Sequence, residues 1–576
     1  MKAQKIYIIL AMTGTMFLSI GCNKLVDMKP LNEISDASYW TNADQFKLAA
    51  NEFYTYLRGF GDILDNNPHS DRRSDILYTR DGANTFSNGT NTIPNTDGSW
   101  NSAYSRIRAT NYLLSKAESY AKPAEIEKYV AEAKFFRAYL YFDLLQLFGG
   151  VPIIKAPLSP ESPELQAPRN SRDEVVDFIV ADLESAIAVL PLESAIATAD
   201  KGRVSKGAAQ AFLSRVALYE GTWQKFRNNS ARANTLLDKA ALNADAVITS
   251  KQYELFAPTV LGDSAQKYLF ILENQQSNPA NLTKSANKEY ILANRYDFAS
   301  RQIRINITHQ LLGNVQWGVK KLMDMYLAQD GLPIEKSPLF KGYKTTTSEY
   351  ENRDNRMIYT WMQDGKYYWD NENPGARITW RGDAADIAGS RGRANIATGS
   401  GYAPQKFATE RRLQDLEEGY DYPVIRYAEV LLNYAEAVFE KNGTISDADL
   451  DKSLNLVRNR INKKMPKLSN NLIQTNGLAM RTEIRRERTL ELFLEGFRRD
   501  DLIRWKTAEI EMPKPIEGIV WTGTAYETRW AGIKNQVING NYRLEGNRQW
   551  SEKHYLLPIP SQQIQLNPNL VQNPGW

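Results

Sequence analysis

The chain has 576 residues, of which 42% are hydrophobic and 24% charged, with a formal net charge of +4 and a single cysteine. This is a globular composition, longer than the roughly 250–300 residues at which one core stops growing, so two or more intergrown lobes are expected. A mean hydropathy of -0.49 excludes a polytopic membrane protein, the small charge without a long basic run excludes a nucleic-acid binder, and one thiol excludes a disulfide framework.

Lys2 and Lys5 precede an uncharged, largely apolar run over residues 6–20, and the small residues Ser19 and Gly21 lead into Cys22. The order of charged, apolar and small residues is that of a secretory signal. The run is shorter than the roughly 20 apolar residues of a membrane-spanning helix. The segment resembles a bacterial lipoprotein signal, which implies removal of residues 1–21 and lipidation of Cys22. Two or more acyl chains there would tether the protein durably to a membrane.

Helical periodicity follows at 44–57, 102–120, 131–148, 172–190, 205–220 and 231–249, with Gly, Pro or Asn between the stretches. In 131–148, Phe135, Tyr139, Phe142 and Leu145 recur at helical spacing, and Phe136, Leu140 and Leu144 form a second stripe. Apolar residues on two faces predict a buried helix. Gly149 and Gly150 stop it, and Val151-Pro152 sends the chain out extended. A later group is read at 424–441, 448–461 and 481–505. The helices pair like tetratricopeptide units without keeping their period of about 34 residues. The expected class is therefore mainly α, a tetratricopeptide-like helical-pair scaffold with long irregular loops and a few short strands.

Residues 66–98 and 258–419 are rich in Asn, Gly, Asp, Thr and aromatics and lack helical periodicity. Loops this long in a compact protein usually carry function. Short strands are expected at 268–272, 303–307 and 376–380.

Several motifs carry no chemistry on inspection. His69, His309 and His554 lie far apart without metal-ligand spacing, so neither a metal nor another cofactor is expected. Asp447, Asp449 and Asp451 begin like a calcium loop, but Lys452 replaces its glycine and Arg458 its closing glutamate, which leaves an acidic helix start. Residues 389–401 look like a phosphate cradle without the flanking strand and helix that one needs. Glu487, Glu491 and Glu495 align at i, i+4 and i+8 like a glycosidase pair, but Arg485, Arg486, Arg488, Arg498 and Arg499 crowd them. Such carboxylates are expected to be ion-paired with lowered pKa, whereas a general acid needs a raised one.

Taken together, the stretches 23–40, 131–152, 202–223, 324–356, 422–437, 484–505 and 555–576 resemble the SusD/RagB family of surface lipoproteins. The resemblance rests on the arginine-bearing helix ending in glycine and Val-Pro, on the Asp330-Gly331 turn and the run Asn352-Arg353-Asp354-Asn355-Arg356, where Asn355 stands at a usual proline, and on the closing Leu556-Leu557-Pro558-Ile559-Pro560 and Gln572-Asn573-Pro574-Gly575-Trp576. It implies a SusD-like domain over 22–576, with an N-terminal helical scaffold (22–257), a loop-rich ligand-face insertion (258–419) and C-terminal helices with a tail (420–576).

The resemblance further implies a non-catalytic protein, anchored in the outer membrane and facing outward, that captures an oligosaccharide or polysaccharide and delivers it to a SusC-like TonB-dependent transporter. Family glycan sites map here onto Asp75, Arg80, Asp81, Trp100, Tyr290, Tyr296 and Trp317. Trp40, Trp223, Trp505 and Trp576 fall in scaffold motifs and are expected in the core. The nearer alternative is an oligopeptide receptor, which would favour charged loops over an aromatic arc. The remote one is a glycoside hydrolase.

Overall fold

The computed structural model describes residues 39–312, 315–364, 367–370, 377–379, 399–410 and 416–576. The leader, Cys22 and nearly all of the glycine-rich stretch 389–401 lie outside these residues. Helices predominate. The scaffold helices are α1 (Ala43–Phe53), α2 (Gly98–Glu118), α3 (Pro123–Phe148), α4 (Arg172–Val189), α5 (Lys206–Lys225), α6 (Ser230–Ser250), α7 (Tyr427–Asn442), α8 (Met480–Glu491) and α9 (Arg498–Arg504). Consecutive helices pack in pairs, α2 on α3, α3 on α4 and α5 on α6, and α7 closes over α5, α6 and α8.

Local chemistry explains the boundaries. Asn42 and Gln45 form a capping box on α1, and Ser171 and Glu174 another on α4, which satisfies backbone N–H groups that a helix start leaves open. α3 begins with Pro123 at its first position and ends where Gly149 takes φ +78 and donates its N–H to Leu145. The next residue is confined differently, since a Cβ on Gly150 would meet Asn170 O at 2.2 Å. α3 is buried on most faces from Ile126 to Phe148, as its two apolar stripes predict.

Buried arginines lace the layers together. Arg137 of α3 makes a bidentate pair with Asp182 of α4, both bonds 2.8 Å, and donates to Asn111 of α2. Arg172 of α4 binds Glu220 of α5, Arg215 of α5 binds Glu429 of α7, and Arg504 of α9 binds Glu436 of α7. The largest apolar cluster runs from Phe46 to Leu570, with smaller separate ones around Trp223 and Leu237, so most of the core is shared across the chain.

The strands are short. β1 (Leu77–Thr79) pairs antiparallel with β3 (Gln316–Gly318), placing Tyr78 opposite Trp317. β2 (Tyr290–Asn294) pairs with β6 (Tyr422–Arg426), and β4 (Tyr367–Asp370) with β5 (Arg377–Thr379). A three-stranded sheet has the order β7 (Ile516–Val520), β9 (Asn541–Glu545), β8 (Val537–Ile538).

Three expectations change. The strand expected at 268–272 is instead the exit of a short helix, Ala265–Tyr268, and the one at 303–307 runs into the helix Ile307–Leu312. Short apolar runs do not distinguish a strand from a buried helical turn. The helix expected over 481–505 is two helices, broken where Leu494 and Gly496 take φ +59 and +78.

A further change concerns the three glutamates. Glu487 and Glu491 sit on α8 and Glu495 in the turn beyond it, and their partners come mainly from distant segments. Arg356 binds Glu487 at 2.6 Å, Arg426 bridges Glu289, Glu491 and Glu495 at 2.7–2.9 Å, and Arg460 and Lys406 complete the cluster. Although burial opposes ionisation, Arg460, Arg426 and Arg356 hold the Glu491 carboxyl well below the usual range. Glu487 departs from the expected lowering, because burial outweighs Arg356 and Arg458 and pushes it up. The cluster also absorbs the 352–356 run, where Asn355 donates its backbone N–H, which a proline lacks, to Asn462 at 2.7 Å.

Candidate functional site

The first turn of α2 is built by Asp97, whose Oδ1 accepts the N–H groups of Ser99 (2.8 Å) and Trp100 (3.1 Å). The helix then separates two depressions. Ser99, Ser102, Ala103 and Arg106 face a cleft of about 510 Å³. Trp100, Tyr104, Ile107 and Arg108 face an apolar groove of about 630 Å³ on the other side. Both volumes fall within the ~300–1,000 Å³ of small-ligand sites.

The cleft presents more polar than apolar surface, with a small apolar patch as its floor and polar groups around it as a rim. Leu140, Leu144 and Leu147 of α3 and Ala103 form the floor, and Tyr56 stands at one side. The rim carries Arg58, Asp62, His69, Arg73, Asp97, Arg106 and Asp143. Arg58 Nη2 donates to Asp143 Oδ1 at 2.5 Å, His69 Nδ1 lies 3.0 Å from Asp500 Oδ2, and Asp62 accepts the Gly59 N–H at 2.7 Å. Much of one wall is the loop 66–98 singled out in the sequence.

That loop is braced from the far end of the chain. Asp71 accepts the N–H groups of Leu494 (2.8 Å) and Arg498 (3.3 Å), and burial pushes its carboxyl up to about 7. Asp75, 1% exposed, receives Arg498 Nε at 2.8 Å and Nη2 at 2.9 Å together with Lys321. Burial opposes its ionisation, yet Arg498 and Lys321 hold it well below the usual carboxylate range.

The seven residues expected at the ligand face do not converge. Asp75 is a buried strut rather than a surface contact. Arg80 and Asp81 are exposed beside the β1–β3 ladder, and Asp81 binds Arg72 at 2.6 Å. Trp317 is only 5% exposed, with the half-buried Tyr78 ring 6.1 Å from it. Trp100 is 4% exposed and packs edge-on against Phe148 at 5.1 Å, so it forms the wall of the groove rather than an open platform. Tyr290 donates to Leu269 O at 3.1 Å and lines a separate pocket that shares no residue with the cleft. Tyr296 is partly buried, with Arg301 4.8 Å over its ring. Arg58, Arg73, Arg106 and Asp143 were missed, because arginines and aspartates spread over 86 positions meet only once the helices pack.

The expected core tryptophans are placed accordingly, Trp223 and Trp505 buried and Trp40 and Trp576 partly buried. Asp447 and Asp449 occupy the first turn of a short helix capped by Ser446. Glu349 and Glu418 are pushed up to about 7 by burial, but neither lines the cleft or the groove.

Comparison with known proteins agrees with this architecture. The model of the SusD family matches residues 274–576, more than half of the chain, and a second model, described as starch-binding and associating with the outer membrane, matches 35–218. The chain belongs to the SusD family. A SusD-like protein of Bacteroides ovatus is 22% identical over 98% of this chain and 96% of its own. Among solved structures, a SusD-like carbohydrate-binding protein of Bacteroides fragilis is 25% identical, covers 92% of this chain and 99% of its own, and superposes with a TM-score of 0.73. A second SusD-like protein of that species, 22% identical, covers 95% of this chain and all of its own with a TM-score of 0.72. Among the described residues no helix is long and apolar enough to cross a membrane.

Proposed function

We propose that this protein is a non-catalytic glycan receptor, lipid-anchored through Cys22 at the outer face of the outer membrane, that captures an oligosaccharide and passes it to a SusC-type TonB-dependent transporter. The observation that carries this reading is the cleft beside α2, in a chain whose family includes a carbohydrate-binding neighbour. A sugar ring has apolar C–H faces and polar edges, and a leucine floor beneath a hydrogen-bonding rim complements both. The rim carboxylates already accept internal hydrogen bonds, and the carboxyls raised to about 7 lie elsewhere, which supports binding over hydrolysis.

The charged rim favours one second reading, an oligopeptide receptor of the same transporter system. A panel of glycans and peptides titrated calorimetrically into the chain starting at Asn23 separates the two. Ser102→Trp fills the cleft from an exposed helix position and should lower glycan affinity at least about tenfold, or about 1.4 kcal/mol, with unchanged melting. Undiminished glycan binding by this variant would place the site elsewhere, and binding of peptides alone would favour the second reading.

A further inference from the structure

The cleft holds two guanidinium groups that no carboxylate among the described residues neutralises by an ion pair. Arg73 is 7% exposed. Its Nε and Nη2 donate to Asn66 Oδ1 (3.1 Å) and Asn66 O (2.7 Å), and its guanidinium lies 3.5 Å over the Phe86 ring, so its direction is fixed. Burial, reinforced by the charge of Arg499, lowers its pKa to about 9, as expected for a cation short of counter-charge. Arg106 lies 5.1 Å over Tyr56 on the cleft face of α2 and makes neither an ion pair nor a hydrogen bond among the described residues.

The acids of the rim are already engaged. Asp62 uses both oxygens, on the Gly59 N–H and on Asn67. Asp143 gives Oδ1 to Arg58, and Asp97, the acid whose charge most favours the Arg73 cation, gives Oδ1 to the first turn of α2. Asp97 and Asp143 each keep a second oxygen. The cleft thus offers two unneutralised cationic donors and two carboxylate acceptors above an apolar floor. A compact inorganic anion would be attracted by the first pair and repelled by the second. A polyhydroxylated ring bearing one anionic group satisfies both, with the anion on the arginines and hydroxyls donating to the carboxylates.

We propose that the cleft selects an acidic oligosaccharide, placing a uronate carboxylate or a sulfate ester against Arg73 and Arg106 while ring hydroxyls bond Asp97 and Asp143. This rests on the glycan reading above and adds the charge of the ligand to it.

The test titrates four probes into the chain starting at Asn23: tetragalacturonate, its methyl ester, and a galactose tetrasaccharide with and without sulfate. The acidic member of one pair should bind at least about tenfold more tightly than its neutral partner at about 50 mM salt, with the advantage shrinking at about 500 mM. Which pair responds tells carboxylate from sulfate. Arg106→Gln, at a position without internal bonds, should erase the advantage at unchanged melting temperature, and Arg106→Lys should restore part of it. Equal binding of acidic and neutral partners, neutral binding alone, or an acidic preference untouched by Arg106→Gln overturns this inference and leaves the glycan reading standing. No glycan binding, with acidic peptides captured instead, overturns both.

Discussion

Asp75→Ala separates a structural role from a ligand-contacting one at a residue that the sequence places at the binding face. In the structure both carboxylate oxygens are used by Arg498, at 2.8 and 2.9 Å, and one also by Lys321. Truncation leaves the Arg498 guanidinium buried with Thr489 Oγ1 as its remaining side-chain hydrogen-bond partner. Breaking a buried pair from one side costs about 3–5 kcal/mol, because the surviving charge has lost its counter-ion. Unfolding entropy near 2.1 cal/mol/K per residue amounts to about 1.2 kcal/mol/K for this chain, so the melting temperature should fall by about 3–4 °C. Differential scanning calorimetry reads this shift, and glycan titration of the same sample below the transition should match the wild type. The Asp75→Ala/Arg498→Met double variant should cost less than the two single changes summed, by about 1–3 kcal/mol, since it strands no charge. An Asp75→Ala protein that melts like the wild type yet no longer binds glycan would refute this reasoning and return Asp75 to the ligand face.

Trp100→Ala and Trp317→Ala, at positions 4% and 5% exposed, should each cost about 3–5 kcal/mol of stability through lost burial and a residual cavity, and urea titration showing an unchanged midpoint would return the ring to the surface. Asp71 has its pKa raised from 3.8 to about 7, so the folded state holds this proton where the unfolded state has released it. Its contribution to stability is therefore greatest below the unfolded pKa and falls as pH rises from about 4 to about 7, by about 4 kcal/mol. Wild type minus Asp71→Asn, compared by denaturation across that window, should show this loss, and parallel curves would count against it. Cys22→Ser should release the protein from the membrane fraction without changing glycan affinity in solution, and retention of the serine variant would make the transporter contact the main anchor.

The elements whose signals are local were legible. α3 announced itself through two apolar stripes, and its end through Gly149-Gly150, since burial on several faces and a left-handed exit follow from neighbouring residues. The break between α8 and α9 was not legible. Its charged stretch has no proline, and Leu494 adopts φ +59 because Asp71, 423 positions away, holds its N–H. Likewise the arginines near Glu487 and Glu491 in sequence are not their partners in space, which are Arg356, Arg426 and Arg460. At the candidate site, the stretch 66–98 was recognisable from composition and length as a long irregular segment, and part of it lines the cleft. Which face of α2 it meets was not, because one helical step decides whether Trp100 or Ser99 and Ser102 enter the cleft, and the packing of α2 on α3 makes that choice.

The same long-range pairing explains how an irregular loop forms a defined wall. His69, Asp71 and Asp75 each bond residues 494–500, so three points of one loop are fixed to the α8–α9 turn and the start of α9. Gly496 permits the approach, with φ +78 and a would-be Cβ only 2.5 Å from His69 O. Asn66, next to this braced stretch, aims Arg73. Most buried arginines in this protein are consumed in bracing of this kind, Arg137, Arg215, Arg356, Arg426 and Arg498 among them. Buried ion pairs add little net stability, since desolvation offsets their attraction, but they specify which segments meet. Arg353 and Arg458, like Arg73, are held by backbone carbonyl oxygens inside the protein, so what sets Arg73 apart is not the kind of partner it has but its place on the wall of the cleft.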